Sequence, residues 1–214
     1  MLTDAARLLL FPALMAFAAS SDLFTMTISN RVTLILAGGF FALALYSGMD
    51  LHAVLWHVAA ALMAFAASSD LFTMTISNRV TLALVGGFLA MALISGMGLN
   101  DVLTHAGAAA TVLAVTFVFF ARGWIGGGDA KLAAATALWL GFDHLMAYVL
   151  YASIFGGVLT FAVIRFRLMP LPASLAEQDW VKRLHKLDGG VPYGIALAAA
   201  ALLIYPDTAW MHLG

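Results

Sequence analysis

Three aspartates stand where carboxylate chemistry could be done in this apolar chain. Asp22 lies in Ser20-Ser21-Asp22-Leu23-Phe24-Thr25-Met26-Thr27-Ile28-Ser29-Asn30, and Asp70 lies in an identical stretch, Ser68–Asn78. Asp129 follows three glycines in Gly126-Gly127-Gly128-Asp129-Ala130-Lys131. Each stretch is a polar break between apolar runs, and an ionisable group beside hydrocarbon is costly enough to be a functional candidate by default. Two carboxylates held close cannot both ionise easily, so one keeps a proton while the other acts as base toward a water. With the protonated partner polarising a carbonyl, such a pair hydrolyses a peptide bond. Asp129 opens a helix, where the dipole favours negative charge. It therefore reads as the base and its partner as the acid. Gly126, Gly127 and Gly128 permit a close backbone approach that side chains would block. Plain structural readings stand beside these: Asp22 and Asp70 as solvated loop residues, Asp129 as a helix cap. No phosphate-loop Gly-Lys-Ser/Thr follows the glycines. Carboxylates from different helices on one face, one of them presented by a glycine turn, tip the reading toward a site.

The elements that must position these residues are membrane helices. Of 214 residues, 64% are hydrophobic and 10% charged, and the mean hydropathy is +1.00. A soluble domain of this size cannot hide that much apolar surface. Apolar runs near spanning length occur at Ala5–Ser20, Arg31–Gly48, Leu51–Ala67, Val80–Gly96, Val102–Ala121, Ala130–Gly141, Leu145–Ile164 and Val191–Tyr205. The expected fold is an all-α polytopic integral membrane bundle of about eight spans, in one domain over residues 1–214. Ala130–Gly141 is short and reads as a partial or tilted span. The Ala16-Phe17-Ala18 triplet resembles a signal-peptidase site, but the leading segment pairs Arg7 with Asp4 and the same triplet recurs at Ala64–Ala66. A cleaved signal is therefore not expected.

Charge orients the bundle. Threaded through these spans, Arg31, Arg79, Arg122, Lys131, Arg165, Arg167, Lys182, Arg183 and Lys186 fall on one side and only Arg7 on the other. Basic residues mark the cytoplasmic face, so the aspartate breaks and a loop over residues 166–190 are expected there. Within that loop Leu171, Leu175, Trp180, Leu184 and Leu187 have roughly helical spacing along Pro170–Asp188, as in an amphipathic segment on the membrane surface. The chain also repeats itself. Ala13–Leu34 is identical to Ala61–Leu82, and Ile35–Ala60 matches Ala83–Ala108 at 15 of 26 positions. The tandem units are residues 13–60 and 61–108, each a helical hairpin. Removing one leaves about six spans and the same sidedness.

Together these stretches resemble the prepilin peptidases, membrane aspartyl proteases with a Gly-x-Gly-Asp motif, and most closely the short form associated with tight-adherence pili. Asp70–Asn78 resembles the first-aspartate motif, with Ser77 (Ser29 in the other copy) where the family has proline. Gly126–Lys131 carries the second-aspartate motif in full. Gly190-Val191-Pro192-Tyr193-Gly194-Ile195-Ala196 resembles a late segment of the family. The resemblance implies an endopeptidase of the bacterial inner membrane that removes prepilin leaders after a glycine at the cytoplasmic face and works beside the pilus assembly machinery. Larger members add N-methyltransferase activity and a cysteine-rich insert. This chain has no cysteine and no room for that insert, so peptidase activity alone is expected. One hairpin separates the two aspartates in the family. That spacing selects Asp70 and Asp129 as the catalytic pair, with Asp22 the alternative to Asp70.

Other features weigh less. Lys131 either neutralises the site or snorkels to the interface. Asn30 and Asn78, with Arg31 and Arg79, read as caps and anchors of the following helices. The six histidines show no metal-ligand spacing, so neither a metal nor a cofactor is expected. Near-neutral charge and the lack of a basic stacking pattern argue against nucleic acid. Three other functions compete. A transporter or assembly subunit would place its polar groups near mid-membrane. A presenilin-type protease would carry a Tyr-Asp pair in its first motif, which is missing here, and a Pro-Ala-Leu motif late in the chain, whereas Pro12-Ala13-Leu14 precedes all three candidate aspartates. A pseudoenzyme would be blocked by its extra hairpin.

Overall fold

The computed structural model of the protein describes residues 51–208. The expected spans Ala5–Ser20 and Arg31–Gly48, and with them Asp22, lie outside the described residues. The described chain is helical, with no strand among its described residues: α1 Leu51–Thr73, α2 Asn78–Ile94, α3 Leu99–Ala121, α4 Gly127–Arg167, α5 Ala173–Ala176, α6 Asp179–His185 and α7 Gly194–Ile204, which runs into a single turn of 3-10 helix at Tyr205–Asp207. The seam between the repeat units, at residues 60 and 61, falls inside α1.

Local chemistry sets the helix ends. Ser77 caps α2, its side chain accepting from the Arg79 N–H at 3.2 Å; Asn78, expected as the cap, is instead the first helical residue. After α2, Gly96 takes a left-handed φ of 63°, and the Met97 N–H reaches back to the Ala92 carbonyl at 2.9 Å. After α3, Gly123 does the same with φ 72°, and the Trp124 N–H reaches the Phe119 carbonyl at 2.9 Å. Both ends are Schellman closures, which only a residue tolerant of positive φ makes cheaply.

α4 is two helices in one. At Gly141 the backbone takes φ 65°, ψ −173°, a region almost reserved for glycine. Asp129 and Gly157 line the same cavity, yet a straight helix would hold them about 42 Å apart at its usual rise. The chain therefore folds back at Gly141, and Gly127–Leu140 runs against Phe142–Arg167. This is the short run and the long run expected on either side of Gly141, joined without an intervening loop. The His105 ring lies against Gly141, where an added methyl would approach it to 3.0 Å. Its Nδ1 bonds the Leu138 carbonyl at 2.8 Å, a group that would serve Phe142 in a continuous helix.

The core sits between α1, α2, the first half of α4 and α7. Val80, Leu84, Phe88 and Met91 form one buried stripe on α2, at the three- and four-residue spacing of a helix face. Ala133, Ala135 and Ala137 on α4 and Ala196, Ala198, Ala200 and Ala201 on α7 are buried opposite. Small side chains let membrane helices approach closely and gain van der Waals contact. Trp139 fastens α4 to α2 by donating to the Leu84 carbonyl at 2.9 Å. Outward, α3 presents Leu103, Leu113, Phe117 and Phe120, and α4 presents Met146, Leu150, Val158 and Phe161. Leu99–Ala121 and Gly127–Arg167 are long and apolar enough to cross a bilayer, and so broad an apolar exterior fits lipid better than water.

The reversal at Gly141 generates a test. Gly141→Ala should destabilise the protein by about 1–3 kcal/mol from backbone strain, with the His105 contact adding to it. Gly86→Ala, where a methyl meets nothing within 4 Å, should be neutral or stabilising by up to about 1 kcal/mol. Thermal unfolding in detergent compares them, and equal midpoints would contradict the left-handed turn.

Candidate active site

The polar break after α1 is a wired turn rather than a solvated loop. The Ser69 hydroxyl donates to the Thr75 carbonyl at 2.9 Å, and the Thr73 hydroxyl to the Ser69 carbonyl at 2.7 Å. The Met74 N–H closes on the Asp70 carbonyl at 2.8 Å, and Met74 itself turns through a positive φ of 54°. The turn delivers Ile76 onto Gly128, where an added methyl would lie 3.1 Å from Ile76 Cβ. One aspartate motif is thus pressed directly against the other, and a side chain at residue 128 would hold them apart.

Asp70 is buried, with 5% of its surface exposed, in the last turn of α1. Its Oδ2 accepts the Gly194 N–H at 2.7 Å. That N–H belongs to the first residue of α7, so no carbonyl of its own helix satisfies it, and the positive end of the helix dipole faces the carboxyl. A methyl on Gly194 would sit 2.9 Å from both Asp70 Oδ2 and Ile76 Cδ1; only glycine brings the amide this near. The same amide acts electrostatically on the Asp129 carboxyl, and the charges of Asp70 and Asp129 act on each other. Asp129 lies in the first turn of α4. Its Oδ2 accepts the Gly126 N–H at 3.3 Å, while its Oδ1 is buried with no hydrogen-bond partner. The structure thus brings Asp70, Asp129, Gly126 and Gly128 together. Gly127 packs on the Phe120 ring, 3.2 Å from an added methyl.

Lys131 turns elsewhere. Its Nζ donates to Asn78 Oδ1 at 3.0 Å and ties the start of α4 to the start of α2, so it braces the site without pairing with either carboxylate. The segment over residues 166–190 forms α5 and α6, two short helices in place of one amphipathic run. Among its described side chains Val181 is buried, whereas Leu187 is exposed. Trp180 packs edge-on to Phe72 with ring centroids 5.4 Å apart. Arg183 donates to the Phe72 carbonyl at 2.6 Å, a cation at the negative end of α1. Arg167 donates to the Leu184 carbonyl at 2.8 Å and to the Gly190 carbonyl at 2.6 Å. These bonds clamp the segment beside Asp70 and fix the strand of chain leading to Gly194.

A cavity of about 660 Å³ opens beside Asp129. It lies between α3 and the two halves of α4, and Trp124, Phe119, Tyr148 and Tyr193 are among its lining residues. Tyr193 rests its ring on Gly156, which has no room for a methyl. Sequence reasoning did not single out Gly194, Ile76, Tyr148 or the arginine clamps. Gly194 lies in the late segment quoted for its resemblance, but nothing in that segment announces that its amide meets an aspartate. Among the described residues no cluster of metal-ligating side chains occurs.

The contact between Ile76 and Gly128 can be tested in a chain that has no cysteine. Ile76→Cys with Gly128→Cys should form a disulfide under mild oxidation, because the Cβ separation is a few tenths of an ångström short of the usual ~3.5–4.5 Å. Ile28→Cys with Gly128→Cys should not. Crosslinking through Ile28 instead would put the first copy of the repeat in this place.

No curated protein and no solved structure matches the chain. Residues 57–161, just under half of its length, match the family model for the type IV leader peptidase family. That stretch contains both Asp70 and Asp129 and begins after Asp22, and the match supports a leader-peptidase-like protease.

Proposed function

We propose that the protein is a membrane-embedded aspartic endopeptidase that removes the leader of type IV prepilins, of the tight-adherence kind, at the cytoplasmic face, without N-methyltransferase activity. The observation that carries this reading is that two carboxylates from different helices lie within electrostatic reach of each other, one of them bonded to the Gly194 amide. The family match supports it, and its span favours Asp70 over Asp22.

Asp129 is the base and Asp70 the acid. Asp129 Oδ1 takes a proton from a water as its oxygen adds to the scissile carbonyl carbon. Asp70 gives its proton to the carbonyl oxygen, which yields a neutral tetrahedral diol. The C–N bond then breaks, the departing amine takes the proton from Asp129, and a diol hydroxyl returns one to Asp70. Each carboxyl ends as it began. The Gly194 and Gly126 amides hold one oxygen of each carboxyl, which leaves the other for proton transfer. The substrate leader would approach from the basic face, where the clamped segment borders Asp70.

Asp129→Asn and Asp70→Asn should each abolish cleavage of a co-expressed prepilin, a loss of at least about 1,000-fold for removal of an essential acid or base. Asp22→Asn should remain active. A fully active Asp129→Asn enzyme would overturn the protease reading, and an inactive Asp22→Asn enzyme would move the acid to the first copy.

Deleting residues 13–60 joins Pro12 to Ala61 and recreates the local sequence, because Ala13–Leu34 and Ala61–Leu82 are identical. The seam falls within a helix, and two spans of opposite direction are removed together, so later sidedness is kept. The shortened chain should insert and cleave at least as well as the full one at matched membrane levels. Normal accumulation without activity would make the extra hairpin part of the working enzyme.

A further inference from the structure

The cavity beside Asp129 holds a second polar group with no assigned task. Tyr148 is 1% exposed, and its hydroxyl has no hydrogen-bond partner. It lines the same cavity as Asp129 and lies within electrostatic reach of that carboxyl. A buried hydroxyl without a partner forfeits its hydration for nothing, at a cost that favours phenylalanine in its place.

The threonine and serine hydroxyls of the cavity are occupied. Thr111 donates to the Gly107 carbonyl at 2.8 Å, Thr116 to the Val112 carbonyl at 2.7 Å, and Ser153 to the Val149 carbonyl at 2.7 Å. Tyr193, which is only partly buried, accepts from Thr160 at 3.5 Å and keeps its own proton. The hydroxyl of Thr136, the neighbour of Tyr148, gives its proton to the Leu132 carbonyl at 2.9 Å. Tyr148 is therefore the fully buried hydroxyl of the cavity that makes no hydrogen bond, with the Thr136 hydroxyl oxygen beside it as an interacting group. Asp129 Oδ1 is a buried acceptor without a partner. A donor and an acceptor left open in one mostly apolar cavity are complementary to a group that both accepts and donates. A peptide carbonyl under attack by a water is such a group: its oxygen needs a donor, and the water needs an acceptor.

We propose that Tyr148 is a further catalytic residue, whose Oη–H donates a hydrogen bond to the carbonyl oxygen of the scissile peptide as negative charge develops there. Asp129 meanwhile accepts the proton of the attacking water. The hydroxyl breaks no bond and transfers no proton. It adds a fixed dipole to the acid function of Asp70, in a place where water is scarce and such a dipole acts strongly. The α4 reversal at Gly141 builds this arrangement, because it folds the segment carrying Tyr148 back beside Thr136 and into the cavity that Asp129 also lines. The assignment rests on the protease reading above.

The test is Tyr148→Phe in the full-length protein, assayed in membranes against a prepilin alongside wild type, Asp129→Asn and Tyr151→Phe. Tyr151 stacks on Phe155 and is not among the residues lining the cavity. The expected result is a kcat lower by about 100-fold, the scale for removing one oxyanion donor, with KM within about twofold. Thermal stability should be unchanged or raised, and Tyr151→Phe should match wild type. A purely structural tyrosine would leave kcat alone. Wild-type kcat in Tyr148→Phe, a loss confined to KM, or a loss that follows reduced accumulation would each overturn the assignment while the protease reading stands. If wild type fails to cleave, or Asp129→Asn cleaves normally, the protease reading falls and the role of Tyr148 falls with it.

Discussion

A carboxyl taken out of water at the end of a membrane helix needs a donor, and the Gly194 amide supplies it to Asp70 at 2.7 Å. The need is acute because Asp70 lies in the last turn of α1, where the helix dipole repels negative charge. The N-terminus of α7 offers the opposite pole and an N–H with no partner in its own helix. Much of the architecture follows from joining these two helix ends. Residue 194 must lack a side chain, Ile76 must fit beneath it, and residue 128 must lack one too so that Ile76 can lie there. Asp129, one position along, is then carried to the same place.

The surroundings serve that junction by removing bulk where helices meet and adding it where they face lipid. Buried alanines on α4 and α7 trade hydrophobic volume for close contact, which in a bilayer is where helix association gains its energy. Large aliphatic and aromatic side chains crowd the outside of α3 and of the second half of α4. The reversal at Gly141 converts one long apolar stretch into a packed pair and closes a cavity beside Asp129. Directional bonds hold it: His105 to the Leu138 carbonyl and Trp139 to the Leu84 carbonyl. In a low-dielectric interior such bonds are costly to leave unmade.

Basic residues at the site edge bind main-chain carbonyls more than carboxylates. Arg183 holds the end of α1, Arg167 holds the chain on both sides of Asp188, and Lys131 holds Asn78. None is spent neutralising Asp70 or Asp129. A cation bonded to either would stabilise the fully ionised state and remove the difference between the two carboxyls on which acid–base catalysis depends.

The sequence by itself determined the helical character, the apolar runs that become helices, the short run ending at Gly141 and the three aspartates worth watching. These are local matters: apolar run length, glycines that accept positive φ, and the cost of a charge near hydrocarbon can each be read within a short window. The tertiary structure alone decided that Gly194 is the donor for Asp70, that Lys131 braces instead of neutralising, and that Tyr148 comes to line the same cavity as Asp129. Each depends on which surfaces meet after α4 folds back and α7 docks across α1. Gly194 and Asp70 stand 124 residues apart in the chain, and no local rule of spacing or propensity reaches that far. The same holds for the glycines at 128 and 194, whose lack of a side chain acquires its meaning only from the atom that comes to rest against them.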